Sequence, residues 1–335
     1  MKLTEKVLLI LGTATVALVG ATISEAAPGA RAAQACVPRT NVEAIVDDSL
    51  SMADTDPQRL RVQAMGLLVD NPFNAKLTLG AIEFYGEAMP LFDPQLVGQN
   101  RAAMKSAFET RITNSDSATD YNAAFAAAAA HNPNADARIF LTDGAHLPEE
   151  GEYAEGHRGG PPTHVIALAS ETYLPPGSAD EARLQRIASE TGGSYRRADE
   201  AVEIQQAATE LTSTLNCLPQ PASYTNTFTR TGQTKTRRLS VPSGVRSVTF
   251  TLSWADPNAR FDLVGLRVVR RGETVAVASK PRRLRLTRRR GDTYLTVKLS
   301  GLVRGKLRYG LRAKQLGFSS SRVELTTQAL RSNRR

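Results

Sequence analysis

Two apolar runs in the first half of the chain each end in small oxygen-bearing side chains, which limits the folds open to this sequence. The run at 44–46 is followed by Asp47, Ser49 and Ser51, and the run at 139–141 is followed by Thr142-Asp143-Gly144. Short apolar runs bounded by turn residues are typical of buried strands. Because strand and helix patterns alternate from residue 42 to residue 215, the sequence predicts an α/β fold with a mostly parallel sheet.

A third polar stretch, Thr119-Asp120, opens an alanine-rich helical segment between these two runs. Hydroxyls combined with one or two carboxylates suit a small hard cation such as Mg²⁺, which prefers oxygen ligands and keeps several waters. Open α/β sheets bind ligands at the carboxyl ends of their strands, where Asp47 and Asp143 are expected. We therefore expect the three stretches to converge on one rim of the sheet.

Taken together and in this order, the three stretches resemble the metal-ion-dependent adhesion site of the von Willebrand factor type A (VWA) family, in its secreted bacterial form. The resemblance covers residues 41 to 217 and implies a doubly wound sheet with an ion at its rim. It implies Mg²⁺, with Mn²⁺ or Ca²⁺ as alternatives, and a partner protein whose acidic group completes the coordination. Matched residue by residue, the family's ligands are Asp47, Ser49, Ser51, Thr119 and Asp143.

Each stretch alone has a plainer interpretation, since D-x-S-x-S recurs by chance. In that interpretation Ser49 and Ser51 form a polar turn, and Asp143 caps the end of a strand. The order and context of all three stretches favour the metal site.

The first 35 residues are typical of a secretory signal peptide. Lys2 and Lys6 precede an uncharged run at 7–23, and small-residue sites that permit cleavage after Ala26 or Ala35 follow. An uncleaved membrane anchor is the alternative, although the run is short for a span of about 20 residues. Either interpretation places the protein outside the cytoplasm, as a secreted or envelope-associated protein.

Cys36 and Cys217 are the only cysteines, and they bracket the VWA-like region. An exported chain meets oxidising conditions, so a disulfide between them is expected. The resemblance supports the pairing, because the first strand and last helix of a VWA fold bring the domain's ends together. Two free thiols are the alternative.

After residues 219–221 the pattern changes to short alternating runs separated by turn residues, which predicts a β-sandwich. The segment at 252–263 loosely resembles accessory sandwich domains of secreted bacterial proteins, and we expect Trp254 in the core. The predicted organisation is a signal peptide (1–35), a VWA domain (36–218), a linker (219–224), a β-sandwich (225–330) and a basic tail (331–335).

Charge divides sharply between the two predicted domains. Residues 36–221 contain 13 Lys and Arg against 26 Asp and Glu, whereas residues 222–335 contain 26 against 5. Such a basic domain suits an anionic envelope polymer or a lipid surface, or else a solvated face that docks on the acidic first domain. Nucleic acid is not expected, since no nucleic-acid-binding motif is recognised. The candidate polyanion-binding residues are Arg282, Arg283, Arg288, Arg289 and Arg290.

The functional prediction is a metal-dependent protein-binding or adhesion protein that is not an enzyme. The sequence contains no G-x-S-x-G, no H-E-x-x-H and no phosphate-binding glycine loop. Two alternatives stay open: a metal-dependent hydrolase, and a structural component of a surface assembly with a vestigial ion site.

Overall fold

The computed structural model of the chain describes residues 36–115, 118–144, 146–147, 152–270, 273–277, 284–301, 305–318 and 321–331. The side chains of residues 201, 270, 273–275 and 331 are not described. The expected signal peptide, Arg282, Arg283 and residues 332–335 of the basic tail lie outside the described residues. Within the described parts of the chain, no helix combines the length and apolarity needed to cross a membrane.

The first apolar run forms the centre of a six-stranded sheet in the order β3-β2-β1-β4-β5-β6. All neighbours are parallel except β3, which pairs antiparallel with β2 at one edge. The predicted α/β class with a mostly parallel sheet is confirmed. The strands are β1 (Asn41–Asp47), β2 (Thr78–Phe84), β3 (Ala88–Leu96), β4 (Ala137–Thr142), β5 (Thr163–Leu168) and β6 (Tyr195–Ala198).

Six helices connect and cover these strands, and polar side chains define several of their ends. The Asp120 carboxylate accepts from Asn122 N at 2.7 Å and so caps one helix, while Ser178 caps another. Gly192, with φ of 74°, ends the latter in the left-handed conformation that favours glycine. The helices are α1 (Met52–Thr55), α2 (Leu60–Asp70), α3 (Val97–Arg111), α4 (Tyr121–His131), α5 (Ala179–Thr191) and α6 (Ala201–Leu215), with a 3₁₀ helix at Pro72–Lys76.

The second half of the chain forms two antiparallel sheets that enclose a separate apolar core. One sheet has the order β11-β10-β14-β8 and the other has the order β12-β13-β9-β15-β7. Trp254 is fully buried in the core between them, as expected. The strands are β7 (Ala222–Phe228), β8 (Thr234–Val241), β9 (Val245–Trp254), β10 (Arg260–Arg270), β11 (Glu273–Ala276), β12 (Leu284–Arg290), β13 (Tyr294–Gly301), β14 (Gly305–Gln315) and β15 (Ser321–Arg331).

The described residues from Val37 onward form one compact unit, because α2 and α6 pack against the outer face of the five-stranded sheet. The Tyr294 hydroxyl donates to Asp70 Oδ2 at 2.7 Å, and Gln328 Nε2 donates to Ser213 Oγ at 2.7 Å. All of α2 except Gln63 is buried, since this helix lies between the two β layers. β7 begins at Ala222, inside the segment expected to be a linker.

Both cysteines are disulfide-bonded, and the described residues include no free cysteine. In a chain with two cysteines this is the expected Cys36–Cys217 bond. Arg39 N donates to Leu215 O at 2.7 Å, which places the start of the first domain beside the end of its last helix.

Candidate metal centre

The candidate site lies between β1 and β4, where the strand order reverses. From β1 the chain moves outward to β2 and β3, and then returns to the other side of β1 to form β4. Val46 is in register with Leu141, so Asp47 and Thr142 stand side by side at the carboxyl ends of the two strands. This switch point is where open α/β sheets place their ligands.

The carboxylate of Asp47 is fully buried and held by two hydrogen bonds. Oδ1 accepts from the backbone N–H of Ser49 at 2.9 Å, and Oδ2 accepts from the hydroxyl of Thr142 at 2.6 Å. These contacts fix the turn after β1 relative to the end of β4. Asp47 is therefore a preorganised oxygen donor at the base of the site.

The two serines and Asp143 complete a connected group of oxygens. Ser49 Oγ and Ser51 Oγ lie 3.0 Å apart. Ser51 in turn hydrogen-bonds the Asp143 carboxylate, whose Oδ2 also accepts from the hydroxyl of Thr55 at 2.8 Å. Four of the five expected ligands are thus brought together by short contacts.

Thr119 lies on the same rim, but the hydrogen bonds among the described residues do not link it to the other four. It is buried, and its backbone pairs with Leu147 through two hydrogen bonds of 2.9 Å. Asp120 N donates to Tyr85 O at 2.6 Å, which ties this loop to the chain just after β2. β2 neighbours β1, so Thr119 is held on the side of the site nearest that strand.

The sequence analysis did not identify Arg61 on α2, a buried residue whose contacts hold the turn after β1 in place. Its guanidinium is fully buried, and Nε donates to the backbone oxygen of Asp47 at 3.1 Å. Nη1 pairs with Asp56 at 3.1 Å, and Nη2 lies 3.7 Å from Asp48. The available signal was a charged residue inside the apolar run of α2, which needs buried partners.

Asp48 holds the segment after α3 against the turn that follows β1. It accepts from the backbone N–H of Asn114 and the hydroxyl of Ser115, both at 2.6 Å, and so anchors the loop that leads to Thr119. Asp48 and Asp56 thus pair with Arg61, whereas the buried carboxylates of Asp47 and Asp143 make no ion pair with a described residue. This excess of acidic groups favours a cation.

Burial disfavours the charged forms of both candidate carboxylates, and repulsion by Asp143 adds to this effect at Asp47. Burial first, and the neighbouring Asp143 second, raise the pKa of Asp47 to about 7. Burial also raises the pKa of Asp143, against the hydrogen bonds from Ser51 and Thr55 that lower it. A divalent cation between these carboxylates would favour the charged forms of both.

The donor set fits a hard divalent cation. All five side chains offer oxygen, two of them are carboxylates, and the hydroxyls of Ser49 and Ser51 already face each other. Mg²⁺ and Mn²⁺ prefer such ligands, whereas softer sites use Cys or His. The described residues contain no group of three or more His, Cys, Asp or Glu arranged to hold a metal.

His146, two residues before the gap at 148–151, contacts α4 rather than the oxygen cluster. Its Nδ1 accepts from Tyr121 N at 3.2 Å, and its ring packs against the rings of Tyr121 and Tyr153. Beyond the gap, Asn122 holds the returning loop through Ala154 N at 2.7 Å. The described parts of this loop are thus fastened to the helix that Asp120 caps.

The arginines expected to bind a polyanion are engaged within the protein where they are described. Arg288 pairs with Asp262 at 2.7 Å, and Arg289 donates to Asp70 O at 3.0 Å. Arg290 donates to Phe261 O at 2.8 Å and lies over the Trp254 ring. These contacts close the edge of the sandwich and join it to α2, which leaves fewer donors for an external anion.

No protein-family model and no curated protein matches the chain. Among solved structures, a von Willebrand factor type A protein from Catenulispora acidiphila is 15% identical with a TM-score of 0.42, over 89% of this chain and 59% of that one. This chain thus spans about three-fifths of that protein's length.

Two further structures match only part of this chain. The conserved hypothetical protein BatB from Bacteroides thetaiotaomicron is 23% identical with a TM-score of 0.41, over 52% of this chain and 98% of that one. Proximal thread matrix protein 1 from the mussel byssus, with a zinc-occupied MIDAS motif, is 12% identical with a TM-score of 0.41, over 59% and 51%. At these values the similarity says nothing about what this chain binds, and the fold assignment rests on the topology described above.

Proposed function

We propose that the protein is an extracytoplasmic binding protein whose first domain holds one divalent cation and uses it to capture an acidic group of a partner protein. Asp47, Ser49, Ser51, Thr119 and Asp143 hold the ion, which is Mg²⁺ in first place, with Mn²⁺ or Ca²⁺ as alternatives. The observation that carries the proposal is the hydrogen-bonded cluster of Asp47, the two serines and Asp143 at the switch point of the sheet.

Two exposed leucines beside this cluster support a protein partner. Leu50, between the two serines, is 53% exposed, and Leu147, which pairs with the backbone of Thr119, is 55% exposed. Large apolar side chains beside a polar centre are typical of protein-binding surfaces. The partner's carboxylate reaches the ion while its flanking apolar side chains contact the leucines.

A binding role accounts for the rim better than hydrolysis does. Asp47 and Asp143 each accept a hydrogen bond from a threonine hydroxyl, which holds them as ligands with fixed orientation. Ion-mediated capture needs fixed ligands and an open position, whereas a general base must be free to accept a proton from its substrate. Export belongs to the same proposal, because it rests on the apolar leader at 7–23 and on the disulfide.

Selection from a displayed peptide library, run with Mg²⁺ and with EDTA, tests this function without knowledge of the natural partner. We expect enrichment of peptides that contain Asp or Glu next to apolar residues, and loss of that enrichment in EDTA. Leu50→Ser should weaken binding of the selected peptides, while the variant should still bind the metal ion. Met89→Ser is the matched control, since Met89 is 38% exposed on the edge strand β3. Selection of the same peptides with and without metal would contradict the proposal.

A further inference from the structure

Three arginines stand in a line across the outer face of the four-stranded sheet. Arg308 on β14 is in register with Arg238 on β8 and with Arg267 on β10. All three side chains are exposed, and the neighbouring residues Leu239, Leu307 and Val268 point into the core instead. The pleat of the sheet therefore directs these three guanidinium groups to the same solvent face. We call this set the arginine row.

The strand register brings these like charges close together. Adjacent strands lie about 4.8 Å apart, so the arginine row places three positive charges within roughly 10 Å. Like charges directly opposite each other destabilise a sheet. In the described part of the chain, none of the three arginines makes an ion pair.

The same face holds little negative charge to offset the row. Asp262 is the one acidic residue of this face with a described side chain, and it pairs with Arg288 at 2.7 Å. Lys306, two residues before Arg308, adds a fourth exposed positive charge along β14, about 7 Å away. The charges thus extend both across the strands and along one of them.

We propose that this face of the sandwich binds the anionic headgroup surface of a phospholipid bilayer. A sheet face with cations spread in two directions matches a planar array of negative charges, whereas an extended polymer would engage only a line of them. Guanidinium groups pair well with phosphate oxygens, because their donors form a planar fork. The proposal is independent of the metal centre, since no residue of the row belongs to the first domain.

The test compares two charge-matched triple variants of the full chain. One carries Arg238→Gln, Arg267→Gln and Arg308→Gln in the row. The control carries three substitutions of exposed arginines that lie outside the four strands of that sheet: Arg230→Gln, Arg246→Gln and Arg285→Gln. Both variants lose the same net charge, so a difference between them reports the position of the arginines. Partitioning is measured onto phosphatidylglycerol–phosphatidylcholine vesicles and onto pure phosphatidylcholine vesicles. The ratio of the two is compared between variants, because the apolar leader contributes to both and its effect cancels.

We expect wild type and control to show a clear preference for anionic vesicles that weakens with salt. The row variant should lose this preference by on the order of a hundredfold, at about fivefold per arginine. Its resistance to urea should be unchanged or higher, because the repulsion within the row is removed. Equal loss in both variants, or no anionic preference in wild type, would overturn the proposal. Row-dependent binding to soluble polyphosphate without vesicle binding would also overturn it.

Discussion

At the scale of residues, the candidate metal centre rests on a buried charge that belongs to none of the proposed ligands. Arg61 contacts the backbone of Asp47 and the carboxylates of Asp48 and Asp56, all without exposure to solvent. The sequence pattern placed the candidate side chains Asp47 and Asp143 at strand ends, because small polar residues after an apolar run are typical of such ends. It missed this support, because the partners of a helical arginine depend on tertiary packing.

Arg61→Met should therefore destabilise the protein by about 3–5 kcal/mol, the usual cost of removing one partner from a buried ion pair. Asp48 and Asp56 would remain buried without their cation. Arg158→Met is the control, and it should change stability little because that side chain is 60% exposed. Urea unfolding of both variants measures the difference, and equal midpoints would rule out the supporting role of Arg61.

A histidine on β5 predicts how stability depends on pH. Burial first, and nearby Arg39 second, lower the pKa of His164 to about 4, from 6.5 in the unfolded chain. Between these values the unfolded state binds the additional proton, so the free energy of unfolding falls as pH drops from about 6.5 to about 4. The full effect is on the order of 3 kcal/mol.

His164→Gln should remove this contribution and flatten the stability profile between pH 6.5 and 4. Gln is neutral throughout that range, so only the other titrating groups remain. Urea unfolding at several pH values measures both slopes. Parallel profiles for wild type and variant would show that His164 does not titrate differently on folding.

At the scale of elements, the apolar runs at 44–46 and 139–141 lie in buried strands as expected, whereas several polar strands carry no such signal. β1, β2, β4 and β5 are near-continuous apolar runs, as strands covered on both faces must be. β3 contains Pro90 and Pro94, which are tolerated because it is an edge strand. β7, β8 and β12 show no clear apolar pattern, because their polar and basic side chains face solvent or another element rather than one apolar core.

Two adjacent glycines lie between α5 and β6, and a side chain would be unfavourable at each for a different reason: backbone conformation at Gly192 and a steric clash at Gly193. Gly192 has a positive φ with open space around it, whereas a Cβ on Gly193 would lie 1.9 Å from Thr163 O. Gly192→Ala should cost about 1–2 kcal/mol through the left-handed conformation alone. Gly193→Ala should cost more, about 3 kcal/mol, because backbone atoms of β5 must move. Urea unfolding measures both costs, and a lower midpoint for Gly192→Ala than for Gly193→Ala would contradict this interpretation of the turn.

At the scale of the whole molecule, the two halves are joined by a largely polar layer. The face of the five-stranded sheet that meets α6 carries serines and threonines, and Gln328 reaches across to Ser213. Asp70 at the end of α2 meets both Lys105 and Tyr294. The charge division along the chain suggested docking as one use of the basic domain, and these contacts show specific positions where it occurs. The sequence pattern could not predict these contacts, because the partners are more than about 100 residues apart in the chain and meet only in the folded structure.

Metal binding to the intact protein tests the central claim most directly. Isothermal titration with Mg²⁺ and Mn²⁺ should give one site per chain, and the free energy of unfolding should rise by about 2.7 kcal/mol at a free cation concentration 100 times Kd. Asp47→Asn should abolish both effects. Asp54→Asn is the matched control on the same rim, because Asp54 is exposed and accepts a hydrogen bond from the Tyr173 hydroxyl at 2.8 Å. Wild type without cation binding, or equal binding by the wild type and Asp47→Asn, would contradict the account.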